Sequence, residues 1–521
     1  MLQTAITSHA TRAMPVLCLA SLGCALTVLD TNVVGIVLPA IAGDLHASFA
    51  SIEWVVSAYV LVFAALLLPA GVIADKHGRK RVFLAGITVF GLASLACGAA
   101  GSALALILAR ACQGMGAALL IAPALAIIAH RFQTEHERAH AWSIWGSVMG
   151  LTMVLSPLIG GLINSAFGWR WAFYINVPIC AVLLAVVPRI IEDSRDPHPR
   201  RLDVPGMALF VLAILGLTSA LILGPKDGWT SPTVTVQWLG GACVFVMFVI
   251  SELRSPHPML ELGLFRQLPF VGAVVAMFAY ACSAQVMASL LPLFLQGARA
   301  DTPFATGVAM LPFALAMLLF PRVGRRLGKR LDGYHILTLG LLVVGLGNAM
   351  MVHAAYNGSP ASLMLAMAIL GTGGGLLNGE TQKAVMVNVP AQRAGMASGI
   401  STTSRFSGIL IGFSGLGAVL ASSTRKTLAA DPHLHTLPGP GLSDAFVDHV
   451  VSGDFQHLQT AGDHAWGAAI LARTRADYGS AFADVFLSAA MVAGVAAVIV
   501  FWTMRKKIAS YARNRDLPPA D

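Results

Sequence analysis

The chain has 521 residues, of which 56% are hydrophobic and only 11% are charged, and its mean hydropathy is +0.74. Soluble domains carry about 25% charged residues, so the composition excludes a soluble enzyme or binding domain. The formal net charge is +9, but no basic segment is large enough to bind nucleic acid, so no nucleic-acid partner is expected. Apolar runs of about 20 residues recur along the chain, and each can cross a bilayer as a helix.

We predict fourteen membrane-spanning helices with both termini on the cytoplasmic side. Of the 34 Lys and Arg residues, 24 fall in loops assigned to the cytoplasm, 7 in loops on the other side and three within spans. This asymmetry is typical of multi-pass membrane proteins. The first span is expected to be retained, because it is too long for a signal peptide. The predicted spans cover about residues 14–41, 53–73, 82–101, 104–130, 140–164, 170–190, 204–224, 233–251, 269–296, 305–321, 333–355, 361–388, 396–421 and 482–504.

The segment between spans 2 and 3 reads GVIADKHGRKR and concentrates five charged residues between two apolar runs. Such a cluster cannot lie in hydrocarbon, so it predicts a short turn on the cytoplasmic side. Its glycines permit a tight reversal, and Asp75 is close enough in sequence to pair with basic neighbours. The segment resembles the signature loop of the major facilitator superfamily, G-x-L-A-D-x-x-G-R-K. The resemblance implies a conformational gating role for Gly71, Asp75, Gly78, Arg79 and Lys80.

A degenerate copy of this loop, PRVGRRLGKR, occupies residues 321–330, again between two spans. The copies begin about 250 residues apart, more than six short-looped helices need, so two extra helices are expected between two related halves. The predicted fold is an all-α polytopic membrane protein with the major facilitator architecture. Its predicted parts are a six-helix bundle at 1–200, two inserted helices at 201–255, and a six-helix bundle at 256–521.

Asp30 lies well inside the first apolar run. A charged carboxylate facing lipid costs several kcal/mol, so Asp30 is expected to face a polar cavity or to carry a proton. The alternative is an Asp that only hydrogen-bonds a neighbouring helix. The surrounding LDTNVVGIVLPAI resembles the first-span motif of drug:proton antiporters with fourteen spans.

Arg110 is a second charge inside a span. Because Arg stays protonated, it needs an acidic or carbonyl partner at this depth. Arg110, Gln113, Gly114 and Gly116 match the family motif R-x-x-Q-G-x-G, whose Arg is linked to proton coupling. A purely structural Arg that binds backbone carbonyls is the alternative.

The fifth span contains Gly150, Pro157, Gly160 and Gly161 in GLTMVLSPLIGG. Pro bends a helix and small residues let it move against a neighbour, so these residues are gating candidates. The stretch resembles the exporter motif G-x-x-x-G-P-x-x-G-G, although Thr152 and Ser156 replace its first two glycines. On its own, such a pattern indicates helix packing.

Two further candidates lie in spans 12 and 13. Glu380 and Lys383 share a helical face and can neutralise each other, but the preceding glycines could also open the helix around a substrate. Arg405 fits the S/T-x-x-S-R-x-x-G pattern of fourteen-span relatives, which implies a role in coupling or substrate binding. Glu380 or Asp30 is its expected partner, and a cap-like role is the alternative.

The segment at about 422–480 is polar and is predicted to be a long external loop in which 444–458 forms a short helix. Its histidines, His433, His435, His449, His457 and His464, are too irregularly spaced to predict a metal site. The seven cysteines lie in apolar runs without metal-ligand spacing. We therefore expect neither a metal nor a cofactor.

The motifs together indicate a proton-coupled antiporter that exports small amphipathic or cationic toxic compounds across the cell membrane. The expected partners are the substrate, protons and the lipid bilayer, and the expected state is a monomer. No nucleotide-binding loop or catalytic triad spacing is visible, so an enzyme or sensor is the least favoured class. Two alternatives use the same fold: an exporter of one endogenous metabolite, and a proton-coupled nutrient symporter.

Overall fold

A computed structural model describes residues 2–515 except 133, 196–202, 257, 259–261, 358, 388, 390–393, 432–443 and 456–467. Every regular element in these described residues is a helix. A helix satisfies its own backbone hydrogen bonds, which is what a chain needs in hydrocarbon where water is absent. The all-α polytopic fold predicted from the sequence is confirmed.

Nine helices precede residue 255 in the described chain. They are α1 (Leu2–Leu45), α2 (Phe49–His77), α3 (Arg79–Gly98), α4 (Ala103–Arg131), α5 (Glu135–Phe167), α6 (Trp171–Tyr174), α7 (Asn176–Ile190), α8 (Val204–Asp227) and α9 (Pro232–Arg254). The helices that follow are α10 (Leu268–Tyr280), α11 (Met287–Gly297), α12 (Pro303–Ala309), α13 (Leu311–Leu327), α14 (Gly333–Asn357), α15 (Pro360–Leu377), α16 (Glu380–Val387), α17 (Ala394–Ala430), α18 (Asp444–Val451) and α19 (Ala468–Arg515).

Within the described residues, fourteen helical segments are long and apolar enough to cross a membrane. They coincide with the fourteen predicted spans, and the largest differences occur at the last two. The thirteenth segment continues to Ala430 and the fourteenth begins at Leu471, because a helix can extend into water beyond its apolar part. The polar region at about 422–480 is therefore shorter than predicted, and its helix α18 begins at Asp444 as expected. His433, His435, His457 and His464 lie outside the described residues.

Two of the interrupted spans bear on the candidate residues. A π-helical turn at Ala281–Gln285 joins α10 to α11, and such turns are frequent at functional sites. The twelfth span breaks between α15 and α16, where Gly379 has a φ of 90°. Glycine adopts this left-handed conformation without steric cost. The break lies immediately before Glu380, where the sequence analysis considered that glycines could open the helix.

The chain folds as two compact units. Unit 1 comprises Met1–Leu202, Ser289–Leu311 and Thr424–Tyr478, and unit 2 comprises Asp203–Ala288, Pro312–Ser423 and Gly479–Asp521. Unit 1 contains α1 to α7, and unit 2 contains α8 to α10 and α14 to α16. The division into two six-helix bundles and an inserted pair stays a prediction.

Candidate functional site

The Asp30 side chain is completely buried in unit 1, and both of its oxygens are hydrogen-bonded. Arg110 Nη1 lies 2.6 Å from Asp30 Oδ2 and forms an ion pair with it. Gln113 Nε2 and Asn176 Nδ2 donate to Asp30 Oδ1 at 2.8 and 2.9 Å. A charged carboxylate is stable inside a protein only when it is paired and hydrogen-bonded in this way.

Arg110 is held by three kinds of contact besides the ion pair. Its Nε donates to the backbone carbonyl of Val55 at 3.1 Å, and its Nη1 donates to Gln113 Oε1 at 2.6 Å. Its guanidinium carbon lies 4.2 Å from the centroid of the Tyr59 ring, within range of a cation–π interaction. Arg110 therefore has both the acidic and the carbonyl partner that its depth in the span requires.

Ser94 completes this network. Its hydroxyl accepts from Gln113 Nε2 at 2.9 Å and from Asn176 Nδ2 at 3.4 Å, and it donates to the Phe90 carbonyl at 2.8 Å. We call Asp30, Ser94, Arg110, Gln113 and Asn176 the polar cluster. Its members come from α1, α3, α4 and α7, so four helices meet at one buried ion pair.

The glycines of the fourth-span motif explain how this meeting is built. A Cβ added at Gly114 would overlap the backbone carbonyl of Tyr59, and one at Gly116 would overlap the backbone nitrogen of Phe90. Helix α4 therefore packs directly against the backbones of α2 and α3, as small residues permit in membranes. This contact brings Arg110 and Gln113, which precede the glycines, to the Val55 carbonyl and to Ser94.

The signature segment forms a one-residue turn. Helix α2 ends at His77, Gly78 adopts a φ of 110°, and α3 begins at Arg79. Asp75 Oδ1 accepts hydrogen bonds from Arg79 Nε at 3.0 Å and Nη2 at 2.8 Å. The basic neighbour that pairs with Asp75 is thus Arg79. Gly71 lies within α2, one turn before Asp75.

Asp193, which the sequence analysis missed, anchors this turn from the segment after α7. Its carboxylate accepts from the Lys80 backbone N–H at 3.3 Å and pairs with Arg81 Nε at 3.3 Å. The Arg79 N–H donates to the Ser194 carbonyl at 2.9 Å. A Cβ at Gly78 would lie 2.6 Å from the Asp193 carboxylate oxygens and would displace that carboxylate from the turn, and the φ of 110° also favours glycine. The only feature of the sequence that points to this anchor is the acidic pair Glu192 and Asp193 directly after the apolar sixth span.

The fifth-span glycines are packing positions in unit 1. A Cβ at Gly160 would meet the Val33 side chain of α1 at 3.2 Å, and one at Gly161 would overlap the Pro303 carbonyl at the start of α12. The carbonyl of Pro157 lies 2.5 Å from the Cβ position of Gly307. The backbones of α5 and α12 therefore approach each other closely at two places, at Gly161 of α5 and at Gly307 of α12.

Thr152 and Ser156, which replace two motif glycines, each donate a hydrogen bond from the side-chain hydroxyl to a backbone carbonyl of α5. The Thr152 hydroxyl donates to the Val148 carbonyl at 2.8 Å, and the Ser156 hydroxyl donates to the Thr152 carbonyl at 2.6 Å. Such bonds to the carbonyl four residues earlier can bend a helix. Gly150 is half-buried and lies two residues before Thr152 in α5. The substitutions therefore leave no hydroxyl of this pair without a partner in the helix.

The candidates in unit 2 form two separate pairs. Lys383 Nζ lies 3.3 Å from Glu380 Oε2, and the Glu380 side chain is buried whereas that of Lys383 is exposed. Arg405 Nε donates to Gln285 Oε1 at 2.9 Å, so an amide occupies the place where a carboxylate was expected. Gln285 ends the π-helical turn of the ninth span. Hydropathy carries no information on such a turn, so the sequence analysis missed this partner.

The architecture is shared with solved membrane transporters. The structure superposes on a POT family transporter in complex with a thioalcohol-conjugated peptide with a TM-score of 0.63, over 94% of this chain and 96% of that chain. The two sequences are 14% identical, so this likeness shows the fold alone. The fold defines the class as a multi-pass helical membrane protein. Residues 20–413 match the family model of the Major Facilitator Superfamily, and the chain belongs to that family.

Two relatives resemble the chain over most of its length. Multidrug resistance protein Stp of Mycobacterium tuberculosis (strain CDC 1551 / Oshkosh) is 36% identical over 425 residues, which cover 80% of this chain and 78% of Stp. The methylenomycin A resistance protein of Streptomyces coelicolor (strain ATCC BAA-471 / A3(2) / M145) is 32% identical over 402 residues, which cover 77% of this chain and 84% of that protein. One relative is named for several drugs and the other for one compound.

Proposed function

We propose that the protein is a proton-coupled antiporter that exports small amphipathic or cationic toxic compounds across the cell membrane. The observation that carries this proposal is the completely buried ion pair between Asp30 and Arg110. The direction of transport and the class of compound are supported by the relatives, which are named for drug resistance.

The coupling step follows from the electrostatics of the polar cluster. Protonation of Asp30 removes the negative charge that neutralises Arg110, and a buried charge without its partner costs several kcal/mol. The protonated cluster must therefore rearrange, and deprotonation must restore it. A cationic substrate that reaches the carboxylate competes with both the proton and Arg110, so that substrate and proton occupy the cluster in alternation.

The signature turn is proposed to gate this cycle. Asp75, Arg79 and Lys80, with Gly71 and Gly78, hold the α2–α3 turn, and Asp193 ties it to the end of α7. In this proposal the turn stabilises the outward-open state and releases it when the cluster is protonated. The packing positions of α5, Gly150, Pro157, Gly160 and Gly161, let that helix move against its neighbours.

Glu380 and Arg405 are proposed to serve the substrate in unit 2. Both lie beside an interrupted helix, where freed backbone groups can line a cavity. We further propose that both termini are cytoplasmic, as the bias of Lys and Arg predicts, and that the protein works as a monomer in the cell or inner membrane with lipid as its only other partner.

The function is tested by measuring retention of ethidium, a cationic dye, in cells with and without the protein. We expect lower retention in cells that contain the protein and loss of this effect when the proton gradient is collapsed. The Asp30→Asn variant should fail to lower retention when it is compared with the wild type at equal amounts of protein in the membrane. Undiminished efflux by Asp30→Asn, or higher dye accumulation by the wild type, would overturn the proposal.

A dedicated exporter of one compound is the second candidate, because one relative is named for methylenomycin A alone. A panel of structurally unrelated cations and neutral antibiotics separates the two. Broad resistance supports the multidrug exporter, and resistance confined to a single compound supports the dedicated one.

A further inference from the structure

The second copy of the signature loop carries an exposed basic patch. The patch consists of Arg325, Arg326, Lys329 and Arg330, at the end of α13 and in the link to α14, and all four side chains are exposed. Within the described residues, none of the four forms an ion pair or another electrostatic contact with a protein side chain. The nearest acid in sequence, Asp332, lies 4.0 Å from His335.

The first copy shows how differently an otherwise similar loop is neutralised. When Gly328 is aligned with Gly78, Lys329 corresponds to Arg79 and Arg330 to Lys80. Arg325 then takes the place of Asp75, the residue that pairs with Arg79 in the first copy. The second copy therefore keeps cations at the places of Lys76, Arg79 and Lys80, has Leu331 at the place of Arg81, and carries a positive charge where the first copy has a carboxylate.

Asp193, which holds the first copy from outside the loop, has no acidic counterpart at the second copy. Asp193 lies directly after the sixth span and binds the turn of the first copy. The corresponding position in the second half follows the fourteenth span, where the sequence reads RKK at residues 505–507. A segment of the same sign cannot supply the negative charge that Asp193 supplies to the first copy.

Helix α16 places a lysine beside the patch, and this lysine has an acidic partner. The Lys383 Nζ atom of α16 lies 3.5 Å from the Cβ position of Gly328. Lys383 is 58% exposed, whereas its partner Glu380 is only 7% exposed and lies beneath the loop against Gly324. The charge of Glu380 thus balances Lys383 alone and leaves the four outer cations without a partner.

The location of the patch selects the chemistry of the partner. The patch lies at the end of the apolar segment Pro303–Leu327 and just before the segment Gly333–Tyr356, which places its guanidinium groups at the boundary expected between hydrocarbon and water. Lipid phosphates are concentrated at that depth, and basic side chains next to a span bind anionic headgroups there. Arg also matches a phosphate with two parallel hydrogen bonds.

We propose that Arg325, Arg326, Lys329 and Arg330 form a binding surface for the phosphate headgroup of an anionic phospholipid. The lipid supplies the negative charge that Asp75 and Asp193 supply in the first copy. The two loops are thereby fixed in different ways, one by the protein itself and the other by the membrane. This inference is independent of the transported compound.

The test measures binding of phosphatidylglycerol to the purified full-length protein by native mass spectrometry. The Arg325→Gln/Arg326→Gln variant should bind the lipid about thirtyfold more weakly, since each of the two lost cations removes about 1 kcal/mol of attraction. The matched control is Arg254→Gln/Arg266→Gln, which removes the same charge from two exposed residues outside the patch and should retain wild-type binding. Arg325→Lys/Arg326→Lys should also retain most of the binding.

Three results would overturn the proposal. The first is wild-type lipid binding by Arg325→Gln/Arg326→Gln. The second is an equal loss in the Arg254→Gln/Arg266→Gln control, which would show a general charge effect. The third is displacement of the lipid by millimolar inorganic phosphate or by an acidic peptide as effectively as by phosphatidylglycerol vesicles, which would assign the patch to a soluble anion or to a protein. Monodisperse elution of each variant verifies that it is folded.

Discussion

Helix α4 in unit 1 and helix α15 in unit 2 are packed in the same way but carry different chemistry. Gly114 and Gly116 bring α4 against the backbones at Tyr59 and Phe90, and Gly371 and Gly373 bring α15 against the backbones at Phe313 and Val344. These equivalent contacts support the internal repeat that the two signature loops indicate. The close approach of the helices is therefore a property of both units.

The residues that precede these glycines differ completely. Arg110 and Gln113 stand four and one residues before Gly114, and the same positions before Gly371 are Met367 and Leu370, both fully buried. Ser94, four residues after Phe90, corresponds to Asn348, four residues after Val344. Asn348 donates to the Ser283 carbonyl at 3.1 Å instead of serving a carboxylate. Close packing of these helices therefore does not require the Asp30–Arg110 ion pair. The presence of the ion pair has to be explained by something other than the stability of the helix packing.

The largest expected effect comes from replacing Arg110 in unit 1 by methionine, the residue at the equivalent position 367 in unit 2. Arg110→Met leaves Asp30 buried without a counter-charge and should lower the free energy of unfolding by about 3 to 5 kcal/mol. Asp30→Asn/Arg110→Met removes both charges and should regain most of that stability while lacking proton-driven transport. Thermal unfolding in detergent, paired with dye efflux, measures both effects. A double variant as unstable as Arg110→Met would contradict the electrostatic explanation.

The next effect tests the shared packing. Gly114→Ala and Gly371→Ala each place a methyl group on a backbone carbonyl, and overpacking of this kind costs about 1 to 3 kcal/mol. We expect both variants to lose thermal stability by similar amounts. Gly146→Ala is the control, because its Cβ position in α5 has nothing within 4 Å. If only one unit responds, the two contacts are not equivalent.

The smallest expected effect concerns the two loops. Asp193→Asn weakens a partly exposed pair with Arg81, which is worth at most about 1 kcal/mol. We expect the maximal transport rate to fall about two- to fivefold at an unchanged KM, since the turn does not touch substrate. Asp193→Glu should restore most of the rate, and Asp227→Asn, an exposed acid at the end of α8, should have no effect. A change confined to KM would place Asp193 at the substrate instead.

The sequence predicted the spans well because long apolar runs can be satisfied in a membrane only as helices. It also placed Asp30 and Arg110 at a depth where each needs a partner. It could not pair them, since 80 residues and two intervening helices separate them in the chain. The roles of Asn176 and Ser94 were missed for the same reason: neutral polar residues in a span give no charge signal.

Loop anchors and helix breaks were harder to predict than spans. Asp193 reads as part of an ordinary connecting segment, and only the fold brings it to Gly78. The π-helical turn that presents Gln285 to Arg405 leaves hydropathy unchanged, so a carboxylate partner was expected instead. Tertiary contacts decide these features, whereas local sequence decides the spans.

The most direct test of the central claim is proton movement in proteoliposomes. Purified protein is reconstituted with a pH-sensitive dye inside the vesicles, and an exported cation is added at a fixed pH difference. The account predicts that substrate addition drives a proton flux in the wild type and that Asp30→Asn, reconstituted in equal amount, gives none. A substrate-driven proton flux of wild-type size in Asp30→Asn would contradict the assignment of coupling to the polar cluster.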